Sequence, residues 1–200
     1  MRHTCVINER SDTVSLNKGN SKSQHSKEQM RNALLELLKE KDFDSITIQE
    51  ITDKAELSRR TYYRNYRSKV DIVTDILHYT WQDYLAALKK LESSSISEIT
   101  EILYGITIHH KEDILLLHQQ NLLIHLIPIA TNDLPDIMAT RYPGMSIDPK
   151  ALRYMSTFIV SGFFQIIPTW LTENPEISSK EMGHYLEQML LIYAPQQIDN

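Results

Sequence analysis

TIQEITDKAELSRRTYYRNYRSK, residues Thr47 to Lys69, decides the reading of the whole chain. Thr47 is a good helix N-cap, and Glu50 three positions later completes a capping box. Ile48, Ile51 and Ala55 fall at helical spacing, which predicts a helix from about 47 to 54. Glu56-Leu57 makes a tight turn, with Leu57 turned back toward the core. Ser58 then caps a second helix that carries Arg59, Arg60 and Thr61 in its first turn. That helix is too polar to be buried all round, and its arginines sit at the end that would enter a groove. A helix-turn-helix lays its second helix in the DNA major groove with its N-terminal residues on base edges. The spacing fits that arrangement.

The stretch resembles the TetR family of bacterial transcription regulators. In that family the helix-turn-helix ends in a threonine, an apolar or aromatic residue and a tyrosine, followed by an aromatic and then a lysine. Thr61-Tyr62-Tyr63, Tyr66 and Ser68-Lys69 match in order, and the likeness spans residues 26 to about 77. Beyond it, only size and helical layout agree. The resemblance implies that Tyr63 and Lys69 hydrogen-bond phosphates, and that Gln49 occupies a position that often reaches DNA. Arg59 and Arg60 are placed for base edges, where arginine pairs bidentately with guanine. The candidate DNA-binding set is therefore Thr47, Gln49, Ser58, Arg59, Arg60, Thr61, Tyr63, Arg64 and Lys69. For the arginines the alternative is an ordinary solvated face, and the surrounding motif favours DNA. Tyr62 and Tyr66 read as core. One departure is Glu56, where the family usually has glycine; a positive φ there would strain it by roughly 1 kcal/mol.

The net charge of −5 looks wrong for a DNA binder until it is divided. Residues 1–70 hold 14 Lys and Arg against 10 Asp and Glu, a net of +4; residues 71–200 hold 7 against 16, a net of −9. The basic surplus lies with the helix-turn-helix, where phosphate contacts require it. Hydrophobic content of 42% supports a real core, and only 5 glycines argue against a turn-rich β fold. A single cysteine, Cys5, excludes an intramolecular disulfide framework and suits a reducing compartment. No signal-like segment and no unbroken run of 18 apolar residues occurs, so a soluble, cytoplasmic bacterial protein without membrane association is expected.

Residues 1–25 are polar and aperiodic, reading as a flexible tail; Lys18, Lys22 and Lys27 alternatively form an arm along the DNA backbone. Ser26 to Gln29 reads as a cap, followed by the stripe Met30, Ala33, Leu34, Leu37 and Leu38 of a first helix ending near Lys41. Phe43 and Ile46 close the same small core. Ser68 with Asp71 starts a helix whose stripe runs to Leu91, roughly 35 Å of rod. Ser93-Ser94-Ser95 breaks it, and Ser95 with Glu98 caps the next helix. A bend at His109-His110-Lys111 follows, with short helices on either side of Asn121. Pro128, Pro135 and Pro143-Gly144 are expected to divide 120–148 into short pieces. Asp148-Pro149 starts a helix to about Thr172 that is apolar nearly all round, so both its sides require burial, and Pro168 should kink it. Ser178 with Glu181 caps the last helix.

The expected fold is all-α: a three-helix helix-turn-helix domain over 26–70, and a larger helical domain over 71–195. Leu152, Met155, Ile159, Gly162, Phe163 and Ile166, with Met182, Tyr185 and Met189 of the last helix, are the expected homodimer interface. By the resemblance, the larger domain holds an apolar cavity for a small effector. Trp81, Tyr84, Tyr104, His125 and Phe158 are candidate liners, although core packing explains them equally. His109, His110, His118 and His125 invite a metal reading, but no spacing gathers the three or four convergent ligands that zinc needs. No phosphate loop, nucleophile elbow or HExxH motif occurs, so no enzyme activity and no cofactor are expected. The resemblance implies a regulator, most simply a repressor, that binds operator DNA as a homodimer and leaves it when an effector binds. Alternatives are an activator, control by a partner protein, or a helical interaction module that no longer binds DNA.

Overall fold

A computed structural model describes residues 9–92, 95–144 and 147–192 of the chain, and all regular structure among them is helical. The chain divides between Ile72 and Val73 into two compact units.

In the first unit, α1 (Glu9–Leu38) precedes a 3-10 turn at Phe43–Ser45, then α2 (Ile48–Lys54) and α3 (Arg59–Asn65). The α1 stripe of Met30, Ala33, Leu34, Leu37 and Leu38 is buried with Phe43, Ile46, Ile51, Ala55, Tyr62 and Tyr66. Each large side chain removed from water this way stabilises the unit by roughly 1.5–3 kcal/mol. Two expectations change here. The helix does not begin at Ser26: residues 9–25, expected as tail, continue it, and the Ser26 hydroxyl donates to the Lys22 carbonyl at 2.9 Å. Ser26 is thus a mid-helix residue bonded to the preceding turn, not a cap. Cys5 lies outside the described residues.

The helix α4 (Lys69–Leu88) contributes its first turn to the first unit and the rest to the second. Its start is capped as expected: the amides of Arg67 and Ser68 donate to the Asp71 carboxylate at 2.7 and 3.1 Å. At 20 residues it is about 30 Å long, three residues short of the expected end.

The second unit continues with α5 (Ile96–His109), α6 (Lys111–Gln119), a 3-10 turn at Leu123–His125, α7 (Leu126–Arg141), α8 (Pro149–Glu173) and α9 (Ser179–Ile192). His110 both ends α5 and begins α6, the expected bend. Asn121 takes φ 57°, a left-handed conformation that asparagine tolerates, and so closes α6. Ser95 precedes α5 but forms no side-chain cap with its own helix; it and the Ser97 amide both donate to Glu187 of α9 at 3.4 Å. The prolines do not fragment 126–141: Pro128 lies in the first turn of α7, where its missing N–H costs nothing, and Pro135 is carried inside the helix. Asp148 accepts from the Lys150 amide at 2.7 Å to start α8 with Pro149 in its first turn. Ser178 and Glu181 exchange the expected capping bonds at the start of α9.

Expected burial of α8 on both sides is not met within one chain. Ser156, Val160, Ile167, Pro168, Trp170 and Leu171 are buried, while Tyr154 and Phe158 are 77% and 76% exposed. By length and composition α8 would even suffice to cross a membrane, although no unbroken apolar run exists, and only 33% of its most apolar window is buried. Of the expected interface set, Gly162, Tyr185 and Met189 are exposed and Leu152, Met155, Ile159, Phe163 and Ile166 are half-buried. Met182 is buried within its own chain and so is not offered to a partner.

Candidate nucleic-acid interface

The second helix of the pair is held by its two ends and one buried ring. Thr47 accepts from the Glu50 amide at 3.2 Å, and the Thr47 amide donates to the Glu50 carboxylate at 2.8 Å, completing the capping box of α2. Lys41 donates to the same carboxylate, and with the Thr47 amide it holds Glu50 down at about 2. The chain turns through Ala55, Glu56 and Leu57; Glu56 takes φ 54°, the strained conformation its position in the motif implies. Ser58 then accepts from the Thr61 amide at 3.1 Å and starts α3. Tyr62 is fully buried beneath the helix, its hydroxyl without a hydrogen-bond partner among the described residues, and burial pushes it up to about 12. Tyr66 packs beside it, ring centroids 6.2 Å apart.

With Tyr62 and Tyr66 fixing one face inward, the opposite face of α3 carries Arg59, Arg60, Tyr63 and Arg64, all exposed. None of the three arginines has a hydrogen bond or ion pair among the described residues. Tyr63 is 53% exposed and set edge-on to Tyr62 at 5.2 Å, which steers its hydroxyl end outward. This gathers three free guanidiniums and a phenol on two turns of helix. Such a set suits phosphate oxygens and guanine edges. The remaining candidates are committed locally. Thr47 serves its cap, the exposed Gln49 amide donates to Asp53 at 2.6 Å, and Ser58 and Thr61 hydroxyls lie 3.0 Å apart. Lys69 differs from expectation. Its ammonium donates to the carbonyls of Phe43, Asp44 and Ile46 at 2.6, 3.1 and 2.8 Å.

Spacing gave no sign of two neighbours of α3. The Ser23 hydroxyl of α1 donates to the Asn65 side chain at 2.8 Å, and Asn65 donates back to the Thr61 carbonyl. Lys27 lies over the Tyr66 ring at 5.4 Å.

In the second unit the expected effector cavity is almost closed. Thr80, Trp81, Tyr84, Leu103, Ile114, Phe164 and their neighbours enclose about 20 Å³, room for one water. Trp81 donates to Asp133 at 2.7 Å and packs on Tyr84 at 4.9 Å. Tyr104 is fully buried edge-on to Trp170 at 4.7 Å, and burial raises its phenol. His125 is half-buried away from that space, and Phe158 faces solvent, which removes it from the expected lining. A larger open cleft of about 650 Å³ lies between the last turns of α4 and α7, floored by Leu85, Leu88 and Ile137. The histidines do not converge. His110 pairs with Asp83 at 3.0 Å, His109 and His118 are exposed, and no group of three metal-ligating side chains occurs among the described residues.

These features define a helix-turn-helix DNA-binding unit joined to an all-helical second unit. Residues 26–76 match the bacterial regulatory proteins of the tetR family. A stretch of 49 residues is 43% identical to the uncharacterized HTH-type transcriptional regulator YxbF of Bacillus subtilis (strain 168), covering 24% of this chain and 13% of that one. The chain thus spans only a small part of that relative's length. At the level of fold it is similar to Lin0861 from Listeria innocua, with a TM-score of 0.73, 11% identity and 96% of each chain covered. It is likewise similar to a TetR transcriptional regulator from Streptococcus agalactiae 2603V, with a TM-score of 0.58, 19% identity, and 88% and 98% covered. Residues 26–76 thus carry the helix-turn-helix of the TetR family of transcriptional regulators.

Proposed function

We propose that the whole chain is a TetR family transcriptional regulator, a repressor that binds operator DNA as a homodimer, a binding protein with no catalytic step, acting in the bacterial cytoplasm. The observation that carries the reading is the face of α3, where Arg59, Arg60 and Arg64 are exposed and have nothing within the described chain to pair with. Arg59 and Arg60 read base edges, while Tyr63 and Arg64 hold phosphates. The second copy covers the exposed stripe of α8 around Tyr154, Phe158 and Gly162, together with Tyr185 and Met189 of α9. Gly162 has open space beyond it, which favours close approach of another helix. An obligate contact of this kind buries on the order of 2,000 Å² or more.

The effector sits in the open cleft beside α4, not in the closed space around Trp81. The cleft's size is in the range of small-molecule sites. The second reading, control by a partner protein, is supported by that same closed core. A dye-labelled panel of DNA enriched from a random pool by the full chain tests the main reading. Wild type binds it with a strong salt dependence. Arg60→Ala costs roughly 1–3 kcal/mol on that DNA and little on random DNA. Salt-independent binding, or equal losses on both DNAs, refutes the assignment.

A further inference from the structure

We propose that Ser23 of α1 is a positioning residue for the DNA-reading helix, acting through Asn65 at the far end of α3. Its hydroxyl donates to Asn65 Oδ1 at 2.8 Å across 42 residues of chain. Asn65 Nδ2 in turn donates to the Thr61 carbonyl at 2.8 Å. A serine inside a helix ordinarily spends its hydroxyl on the carbonyl one turn back, as Ser26 does with Lys22 at 2.9 Å in the same helix. Ser23 bonds across to α3 instead. With its oxygen and its nitrogen both engaged, the Asn65 carboxamide has one setting. Turned end for end, it would set its oxygen against the Thr61 carbonyl oxygen.

The tie matters because α3 is short. Its 7 residues are too few to hold a helix in water on their own, so its attachments set its direction. Ser58 caps its start, Tyr62 anchors its middle, and the buried Tyr66 follows its last residue. Asn65 is that last residue, next to Arg64. Lys27, four positions after Ser23 and so on the same side of α1, lies over the Tyr66 ring at 5.4 Å. One side of α1 thus meets the end of α3 twice. Ser23 precedes the stretch 26–76 that matches the family, so this contact comes from a part of α1 outside it. Without the Ser23 bond the Asn65 end of α3 is freed to shift, and Arg60 and Arg64 lose their register on the duplex. The inference rests on the DNA-binding reading above for its effect on affinity, but not for the tie itself.

Ser23→Ala removes the hydroxyl and Ser23→Thr keeps it; Asn65→Ala and the double variant with Ser23→Ala complete a cycle. Affinity of the full chain for the enriched DNA and for a scrambled duplex is measured by fluorescence anisotropy. Ser23→Ala should lower the specific-to-scrambled affinity ratio by about threefold to tenfold, the worth of one hydrogen bond. Ser23→Thr should restore the ratio, and Ser23→Ala should have no further effect once Asn65 is alanine. Losses that add in the double variant show Ser23 acting without Asn65 and overturn the proposal. A lower melting temperature with an unchanged affinity ratio overturns it too, since the residue then serves stability alone. Nuclear magnetic resonance of the Asn65 side-chain amide reads the tie without DNA. Its resonances should move in Ser23→Ala and stand near those of wild type in Ser23→Thr. Unmoved resonances in Ser23→Ala refute the tie; failure of wild type to bind DNA refutes the proposed function instead.

Discussion

Replacing Gly183 by alanine should destabilise the second unit, although alanine is the better helix former. Gly183 lies in α9 where it crosses α5. A Cβ there would stand 2.5 Å from the Ser97 carbonyl oxygen, and 3.2 Å from both the Glu101 nitrogen and the Thr100 hydroxyl. Ordinary contact begins near 3.4 Å, so the two backbones must separate by about 0.9 Å. The two α5 backbone atoms cannot yield, and the one side-chain atom among the three, the Thr100 hydroxyl, is held by its bonds to the Ile96 and Ser97 carbonyls. Met182 and Leu186, buried on either side, would lose contact as α9 lifts. Overpacking costs about 1–3 kcal/mol, and the rigid backbone contact places this case at the upper end. Against that, alanine gains about 1 kcal/mol of helix propensity. The net loss is about 2 kcal/mol, or roughly 4–8 °C in melting temperature for a chain of this size. Urea unfolding followed by circular dichroism gives the number, with a lower midpoint and an unchanged slope. Gly105→Ala is the internal control. It lies inside α5 with nothing within 4 Å, so the same change should stabilise by about 1 kcal/mol. Equal effects of the two substitutions would refute the reasoning, because propensity alone would then account for both.

Glu56 holds φ 54°, and Glu56→Gly should stabilise the first unit by roughly 1 kcal/mol in thermal unfolding, with α3 unmoved. Tyr62→Phe removes a buried hydroxyl that has no partner among the described residues, so the variant should unfold no more easily than wild type, and should gain up to about 1 kcal/mol. Glu50 has a folded-state value of about 2, below its ordinary 4.5, through Lys41 first and the Thr47 amide second. Its contribution is therefore present in full above pH 4.5 and is lost as pH falls toward about 2. In a pH series of denaturation midpoints, Glu50→Gln should flatten that part of the acid limb; an identical limb in both proteins would show that the box has no electrostatic role.

What was legible in the sequence was what local chemistry controls. Thr47 with Glu50, Ser58, Ser68 with Asp71, Asp148 before Pro149 and Ser178 with Glu181 each announce a helix start through a side chain next to the amides it satisfies. The inward turn of Tyr62 on α3 and of Tyr66, which ends that helix, follows from their spacing of four residues. The misses have the opposite cause, a partner distant in sequence. Lys69 finds its three oxygens 23 to 26 residues away, and Ser95 meets Glu187 instead of Glu98, 92 residues off. Ser26 looked like a cap because serine followed by a polar run resembles one, yet Lys22 supplies a carbonyl one turn earlier. Pro135 reads as a breaker in isolation, and α7 passes through it because the apolar side of that helix packs on α8. Phe158 could not be assigned to cavity or surface from a stripe that is apolar on nearly every side.

The boundary between the two units falls between Ile72 and Val73, inside the continuous helix α4 and not in a loop. That has a consequence for how such proteins diverge. A loop at this point would absorb a gained or lost residue without effect, whereas each residue added to a helix advances it by 1.5 Å and turns it by about 100°. A single-residue insertion near Val73 should therefore be tolerated far less well than one of seven residues, which nearly restores the phase of the helix. Recombination that trades one DNA-reading unit for another is constrained in the same way. Exchanges that succeed should keep the count of residues from Lys69 to Leu88, or change it in whole turns.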